Sequence, residues 1–384
     1  MKVPLAWKNL THDRRRLLLA VAGVAFAVLL MFLQSGFRNA LFDSTVAFIE
    51  ALDADLVVTA SGRYTLAIAE PFPRRRLDQA HGVEGVSLAE PLYLEQQFAQ
   101  CYGGEPNIGR PIRLVACDPE APLFLDPAIR KLAPALRRPF TALVDVSSKQ
   151  DYGPLPVGGD VNLSGKPVRI IGSFKLGTDF ANDGTLLVGT GTFHELLPRR
   201  YPNADGEGNV DLGVIRVQPG RMIDEVRTAL VAALPNDVAV LTKQEFVARE
   251  KAFWQRSTPI GFVFGLGLAL GFVVGVMVCY QVLATEISDH MSELATLKAM
   301  GYPPRYFLRL VIEESVYLAT LAFLPGMVAA AAAYWWLGAV TGLPMRLSLA
   351  RAAMIFGLTL AMCTVSGLLA IRRLHSAAPA DLFT

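Results

Sequence analysis

Four long stretches without a charged residue, Leu17–Phe37, Ile260–Ala284, Ser315–Val340 and Ala352–Ile371, limit this chain more than any other feature. A hydrocarbon core about 30 Å thick is crossed by roughly 20 helical residues, and each stretch is that long. In lipid a segment must satisfy its own peptide groups, so each stretch is predicted to be a transmembrane α-helix. The chain has 384 residues, 52% hydrophobic and only 18% charged, an apolar excess unusual for a soluble enzyme. The first stretch follows three arginines and runs into Gln34, Ser35, Gly36, Phe37 and Arg38. It has no small-residue cleavage motif, so it is read as a retained span and not a signal peptide.

Orientation follows from Lys and Arg in the short flanks. Lys2, Lys8, Arg14, Arg15, Arg16, Lys298, Arg305, Arg309, Arg372 and Arg373 put ten positive charges on one side, against Arg346 and Arg351 on the other. Both termini and the connector after the second span are therefore predicted to be cytoplasmic, in a multi-pass membrane protein. The expected fold class is a membrane protein with four transmembrane α-helices, one and then three, and a large α+β extracytoplasmic domain between the first and second. The layout is a cytoplasmic amphipathic segment 1–16, span 17–37, exported domain 38–259, span 260–284, cytoplasmic connector 285–309, span 310–340, external loop 341–351, span 352–371 and cytoplasmic tail 372–384.

Within residues 3–16 the spacing of Val3, Leu5, Trp7 and Leu10 gives a short amphipathic helix whose Trp suits a membrane interface. Arg38–Leu52 and Lys243–Ser257 keep helical spacing and are read as stalks into and out of the exported domain. Between them, residues 55–61, 86–100, 112–116, 141–147, 168–174, 184–190, 212–218 and 238–242 read as strands. Helices are expected at Arg75–Ala80, Pro127–Ala135 and Arg221–Leu234. The strand–helix–strand run from Leu212 to Thr242 resembles half of a ferredoxin-like unit. Cys279 and Cys363 lie in spans as packing residues, while Cys101 and Cys117 lie in the exported domain, where a disulfide is chemically allowed.

The connector, TEISDHMSELATLKAMGYPPRY from Thr285 to Tyr306, is too charged for lipid yet keeps a helical stripe of Ile287, Met291, Leu294 and Leu297. Gly301 supplies a C-terminal stop and Pro303-Pro304 prevents simple continuation. Such a helix is a surface for a partner to push on. In the second span Gly261/Gly265, Gly267/Gly271 and Gly271/Gly275 form three GxxxG pairs, the first facing roughly opposite the others. One face is available for packing within the chain and the other for a second copy. Glu313 and Glu314, at the cytoplasmic edge, are expected to pair with Arg305 or Arg309.

Catalytic motifs are missing. Gly159–Pro167 has one residue too many for a phosphate loop and Pro where Ser or Thr should stand, so it is read as a hairpin turn. His194-Glu195 lacks the second His of a zinc-protease helix, and the five histidines have no ligand spacing. No span holds the chain of ionisable groups expected of a proton-coupled carrier, and no basic stripe with aromatics points to nucleic acid. The chain is read as a non-catalytic subunit without a cofactor, driven from elsewhere.

Three segments, AWKNLTHDRRRLLLA (6–20), TEISDHMSELATLKAMGYPPRYFLRLVIEES (285–315) and RRLHSAAPADLF (372–383), together with the order of spans, resemble the MacB/FtsX/LolE class of ABC-transporter permeases. ALVDVSSKQDYG (142–153) and VRIIGSFKLGTDFANDGTLLVG (168–189), with no fused ATPase, are most similar to the DevC-type permease subunit. The resemblance implies a homodimer and a separate DevA-like ATPase, carrying ATP and magnesium, docked on Ile287, His290, Met291, Glu293, Leu294, Leu297, Lys298 and Gly301. His290 stands where many relatives carry Arg or Lys. It further implies mechanotransmission through the stalks, a DevB-like membrane-fusion protein, a TolC-like outer-membrane channel and a lipid-like or amphipathic cargo. Two other outcomes stay open, an FtsX-like scaffold that activates a cell-wall hydrolase and LolE-like lipoprotein extraction.

Overall fold

The structure, a computed structural model, describes residues 7, 13–103, 108–121, 123–179, 181–198, 208–289, 296 and 300–376, with backbone alone at 304, 307 and 372–376. In chain order the elements are α1 (Arg14–Ala51), β1 (Leu56–Ala60), β2 (Phe72–Pro73), α2 (Arg75–His81), β3 (Val86–Glu95), β4 (Gln100–Tyr102), β5 (Arg110–Pro111), β6 (Arg113–Cys117) and α3 (Pro127–Leu132). A 3-10 turn (Ala133–Arg137) leads to β7 (Thr141–Asp145), β8 (Asp160–Leu163), β9 (Lys166–Phe174), β10 (Thr185–Gly189), α4 (Thr190–Leu196), β11 (Asn209–Val210), β12 (Leu212–Val217), α5 (Ile223–Ala233) and β13 (Val238–Thr242). The remainder is helical: α6 (Lys243–Ser257), α7 (Ile260–Asp289), α8 (Pro304–Thr341) and α9 (Leu349–Ser376). Two compact units result, one of Met1–Ala40, Pro259–Thr341 and Met345–Thr384, the other of Leu41–Thr258 with Gly342–Pro344.

In the first unit, α1, α7, α8 and α9 are each long and apolar enough to cross a membrane. The Asp13 carboxylate caps α1 by accepting the backbone N–H groups of Arg15 at 3.0 Å and Arg16 at 3.2 Å. Lipid offers no hydrophobic drive between helices, so close approach at small residues takes over. At Gly326 a Cβ would meet the Ala25 carbonyl oxygen at 2.9 Å, and at Gly275 it would meet the Ala27 Cβ at 3.0 Å and collide with Met362. Hydroxyls satisfy themselves on the helix: Ser315 and Thr359 donate to the carbonyls four residues back, and Ser366 donates to Met362 and, across to α7, to Val276, each at 2.8 Å. Cys279 and Cys363 meet with their sulfurs 3.4 Å apart. Pro325 lies inside α8, which continues on both sides of it.

The second unit is built on one sheet in the order β13-β1-β12-β3-β6-β10-β7-β9-β8-β4-β5, antiparallel except for β6/β10 and β7/β9. Alternation puts Leu56, Val58, Leu114, Ala116, Leu186 and Val188 on one face, under α2, α4 and α5 through Leu77, Phe193 and Leu230. Val57, Val115, Leu143 and Leu187 line the other, covered by Phe48 and Ile49 of α1, Leu52 just beyond it, Ile129 of α3 and Phe246 of α6. Both faces are buried, and the strands accordingly read as apolar runs. β12–α5–β13 places two strands on either side of β1, the split arrangement expected from Leu212–Thr242. At Gly159–Pro167 the hairpin β8–β9 turns through Ser164 and Gly165, with φ of 52° and 86°, the pair of positive values a two-residue turn requires.

Four expectations change. The strand read over 86–100 stops at Glu95, because its carboxylate accepts the N–H groups of Gln96, Gln97 and Phe98 at 2.8, 2.7 and 3.0 Å and folds them into a loop. Thr190 leaves the strand read over 184–190 to open α4. The helix of the second span does not stop at Ala284 but carries Thr285–Asp289 on in α7. Cys101 and Cys117 are free and buried: Cys101 sits in the core of one sheet face and Cys117 in that of the other, so their Cβ vectors point apart and no bridge forms. A membrane-permeant thiol oxidant is expected to bridge Cys279 to Cys363, read as a mobility shift that Cys363→Ser abolishes. A bridge involving Cys101 or Cys117 in the folded chain would contradict the strand order.

Candidate functional site

A membrane helix acts on a distant domain only if its extension is fastened there. The last turns of α1 are fastened by burial, with Val46, Phe48, Ile49 and Leu52 in the core beneath the sheet. Phe48 also lies under the Arg113 guanidinium, 5.5 Å from its ring centre, and Arg113 is paired with Asp179. The Lys243 ammonium, first residue of α6, donates to the α1 carbonyls of Glu50 at 2.9 Å and, just beyond the helix, Leu52 at 2.6 Å. Unpaired carbonyls at a helix C-terminus take such a cation readily. Lys251 of α6 then reaches Asp43 of α1 at 2.7 Å. Exposed pairs of this kind contribute about 0–1 kcal/mol, so the carbonyl contacts and the core burial hold the two helices more than this pair does.

α6 is fastened to the sheet by the buried Phe246 ring and by a buried polar network. α6 opens with a capping box, Thr242 accepting from the Glu245 N–H and Glu245 from the Thr242 N–H. Two turns on, Glu250 is 1% exposed and accepts hydrogen bonds from the Thr65 hydroxyl at 2.8 Å, the Leu66 N–H at 2.9 Å and the Trp254 indole at 2.8 Å. The same loop is held from its other side by Arg63, which donates to the carbonyls of Thr65, Leu66 and Asp211. Asp211, next to β12, accepts the Leu94 N–H of β3 at 2.8 Å. One buried network thus runs from α6 through the loop after β1 to two strands of the sheet. Burial pushes the Glu250 carboxyl above its ordinary range, against the pull of its three donors.

At the other end of α7, Ile287 is buried with Leu283, Val311 and Ala370, so it packs its own helix bundle and does not face outward. Asp289, the last residue of α7, is paired with Arg16 at the start of α1. Gly301 has φ of 87°, the left-handed conformation that ends a helix without a Cβ penalty, and Pro304 then opens α8. His290, Met291, Glu293, Leu294, Leu297 and Lys298 lie outside the described residues. Arg309 and Glu313 pair at 2.9 Å across one turn of α8, and Glu314 is buried. Of residues 1–12, Trp7 alone is described, helical, with its ring 5.5 Å from that of Tyr317.

The glycines of α7 divide. A Cβ at Gly267 would meet Gln34 at 2.5 Å, one at Gly271 would meet Met31 at 3.3 Å, and Gly275 is closed by Met362 and Ala27, so these three face the chain's own helices. Gly265 meets nothing within 4 Å. Gly261 sits one turn from it on the same helix, half-buried. Among the described residues no three of His, Cys, Asp and Glu gather as a metal site. Sequence reasoning passed over Arg63, Asp211 and Thr65. The available sign was Glu250 itself, a carboxylate standing between Phe246 and Phe253 on the apolar stripe of a stalk.

Four apolar helices, one preceding and three following a large mixed-sheet domain, define a multi-pass membrane protein. Residues 17–233 match the MacB-like periplasmic core domain, and residues 261–379 match the FtsX-like permease C-terminal family. The first match alone spans more than half of the chain, which belongs to the MacB/FtsX family of ABC-type permeases. Such permeases are non-catalytic subunits, and membership implies an ABC ATPase as partner. Comparison with curated proteins gives no match. Among solved structures, the chain is similar to the extracellular domain of the noncanonic ABC-type transporter YknZ from Gram-positive bacteria, at 11% identity over 49% of this chain and 99% of that one, with a TM-score of 0.33. It is similar to the periplasmic region of MacB from Actinobacillus actinomycetemcomitans, at 11% identity over 55% and 97%, TM-score 0.35. A domain of a putative permease protein from Porphyromonas gingivalis gives 14% over 51% and 95%, TM-score 0.31.

Replacing Glu250 by Ala leaves three buried donors without their acceptor and is expected to lower unfolding stability by about 3 kcal/mol, measured by denaturant titration of the full chain in detergent. The folded carboxyl holds its proton more tightly than the unfolded one. Its contribution to stability is therefore complete at pH below the ordinary glutamate range and is lost as pH rises through the raised value. Glu250→Gln should flatten that part of the stability-against-pH curve; an unchanged slope would assign it to another group.

Proposed function

We propose that this chain is the DevC-type membrane subunit of an ABC exporter, a passive transmission between a cytoplasmic ATPase and the domain of residues 38–259. The observation that carries the reading is the double fastening of the stalks, α1 by apolar burial and α6 by the Glu250 network. With neither stalk end free to slip, a displacement imposed on the membrane helices reaches the sheet instead of being absorbed in a loose joint. The ten-to-two distribution of Lys and Arg supports cytoplasmic termini and a cytoplasmic connector in a bacterial inner membrane. The ATPase, with its ATP and magnesium, then docks on the connector up to Gly301 but not on Ile287, which is buried within the chain's own helices, and this chain needs no cofactor of its own. Gly265, where a Cβ would meet nothing within 4 Å, and Gly261 one turn before it are the contact for a second copy in a homodimer. Cargo is lipid-like or amphipathic and passes to a DevB-like membrane-fusion protein and a TolC-like channel.

A cysteine at Ser292 should crosslink to the co-expressed ATPase. In the assembled complex Glu250→Ala should leave that crosslink intact while ATP-dependent export falls at least several-fold. No crosslink in an assembled complex would remove the connector as the docking surface. Co-purification of a peptidoglycan hydrolase, with no fusion protein, would replace export by signalling.

A further inference from the structure

Trp254 lies six residues before Ile260 in the chain, where an apolar helix begins. Beside it Phe253 packs 5.5 Å from the Trp254 ring and 5.5 Å from the ring of Tyr64. Tyr64 is 52% exposed, Ile68 on the same loop 40% and Phe98 on the loop after β3 71%. Gln96 joins these two loops by donating to the Leu66 carbonyl at 3.3 Å, and accepts from Asn182 at 3.2 Å. Gly342, from the segment between α8 and α9, lies against the loop that carries Asn182: a Cβ there would stand 3.3 Å from the Thr178 hydroxyl. The edge bearing the three exposed apolar side chains is thus marked by two of the points at which the chain passes to apolar helices.

These side chains are not on slack loops. The Glu95 carboxylate pins the three N–H groups up to Phe98, and Arg63 and Glu250 pin the loop that carries Tyr64 and Ile68. The indole N–H of Trp254 is already satisfied by Glu250, which leaves the ring an apolar body with its polar edge turned inward. Rigid aromatic and aliphatic tips beside Trp and Tyr are the composition of a membrane–water boundary. We propose that Tyr64, Ile68 and Phe98 form a lip that dips into the outer leaflet beside the stalk, its occupant the acyl chains of membrane lipid. This deepens the exporter reading by naming the leaflet from which an amphipathic cargo is met; it rests on the domain being outside, and not on ATPase docking.

The full chain is reconstituted in nanodiscs of phosphatidylethanolamine and phosphatidylglycerol, with Phe98→Cys, Ile68→Cys or, as a distant exposed control, Val157→Cys carrying an environment-sensitive fluorophore. The four native cysteines are buried, and unmutated chain gives the labelling background. Labels at 98 and 68 should show blue-shifted emission and lose intensity when the lipids carry bromine on their acyl chains, with no such change at 157. Emission at 98 and 68 matching that at 157, with equal quenching by aqueous iodide, overturns the lip. Protection from both quenchers also overturns it, in favour of a second copy covering the edge. Labelling of Val157→Cys in intact spheroplasts by an impermeant thiol reagent tests separately whether the domain is outside, so a wrong orientation and a wrong lip give different results.

Discussion

Hydrocarbon accepts no unpaired peptide group, and that constraint shapes everything else in this chain. It forces α1, α7, α8 and α9 to be unbroken helices and makes their contacts depend on small side chains and self-satisfied hydroxyls. It also sends the charges to the ends. Arg16 meets Asp289 where α1 begins and α7 stops, and Arg309 meets Glu313 near the start of α8.

The buried Glu250 network is the polar counterpart of that bundle. A carboxylate taken out of water is costly, and three donors with Arg63 nearby offset the cost only while the geometry holds. Such a joint resists sliding in a way an apolar contact does not, because a small displacement strands every donor at once. α1 is held chiefly by apolar burial, whereas α6 adds the Glu250 network to the burial of Phe246.

Periodicity and charge made much of this fold legible. The four uncharged runs located the membrane helices, and the β-branched runs located the central strands, because strands buried on both faces leave continuous apolar sequence. The two- and three-residue strands β2, β4, β5 and β11 have too few positions to show a pattern, and the helix α4 starts with Thr190-Gly191-Thr192, poor helix formers held by their neighbours. The helical stripe from Ile287 was legible in the connector, but not its continuity with the second span in α7, because charge ends a span without ending a helix. The Glu250 network was hidden for a different reason. Its partners Thr65 and Leu66 stand 185 and 184 positions earlier, and nothing local in the sequence around Glu250 names them.

β1, entered soon after α1, pairs along its whole length with β13, which leads straight into α6. The sheet edge that receives the first stalk is therefore supplied by residues made almost at the end of the domain. During synthesis that edge stands open until Val238–Thr242 has been made, and contacts so remote in sequence form slowly. Folding of the domain must trail the synthesis of nearly all of it. A nascent chain stalled before the second apolar helix would present an unfinished sheet with β1 as its open edge.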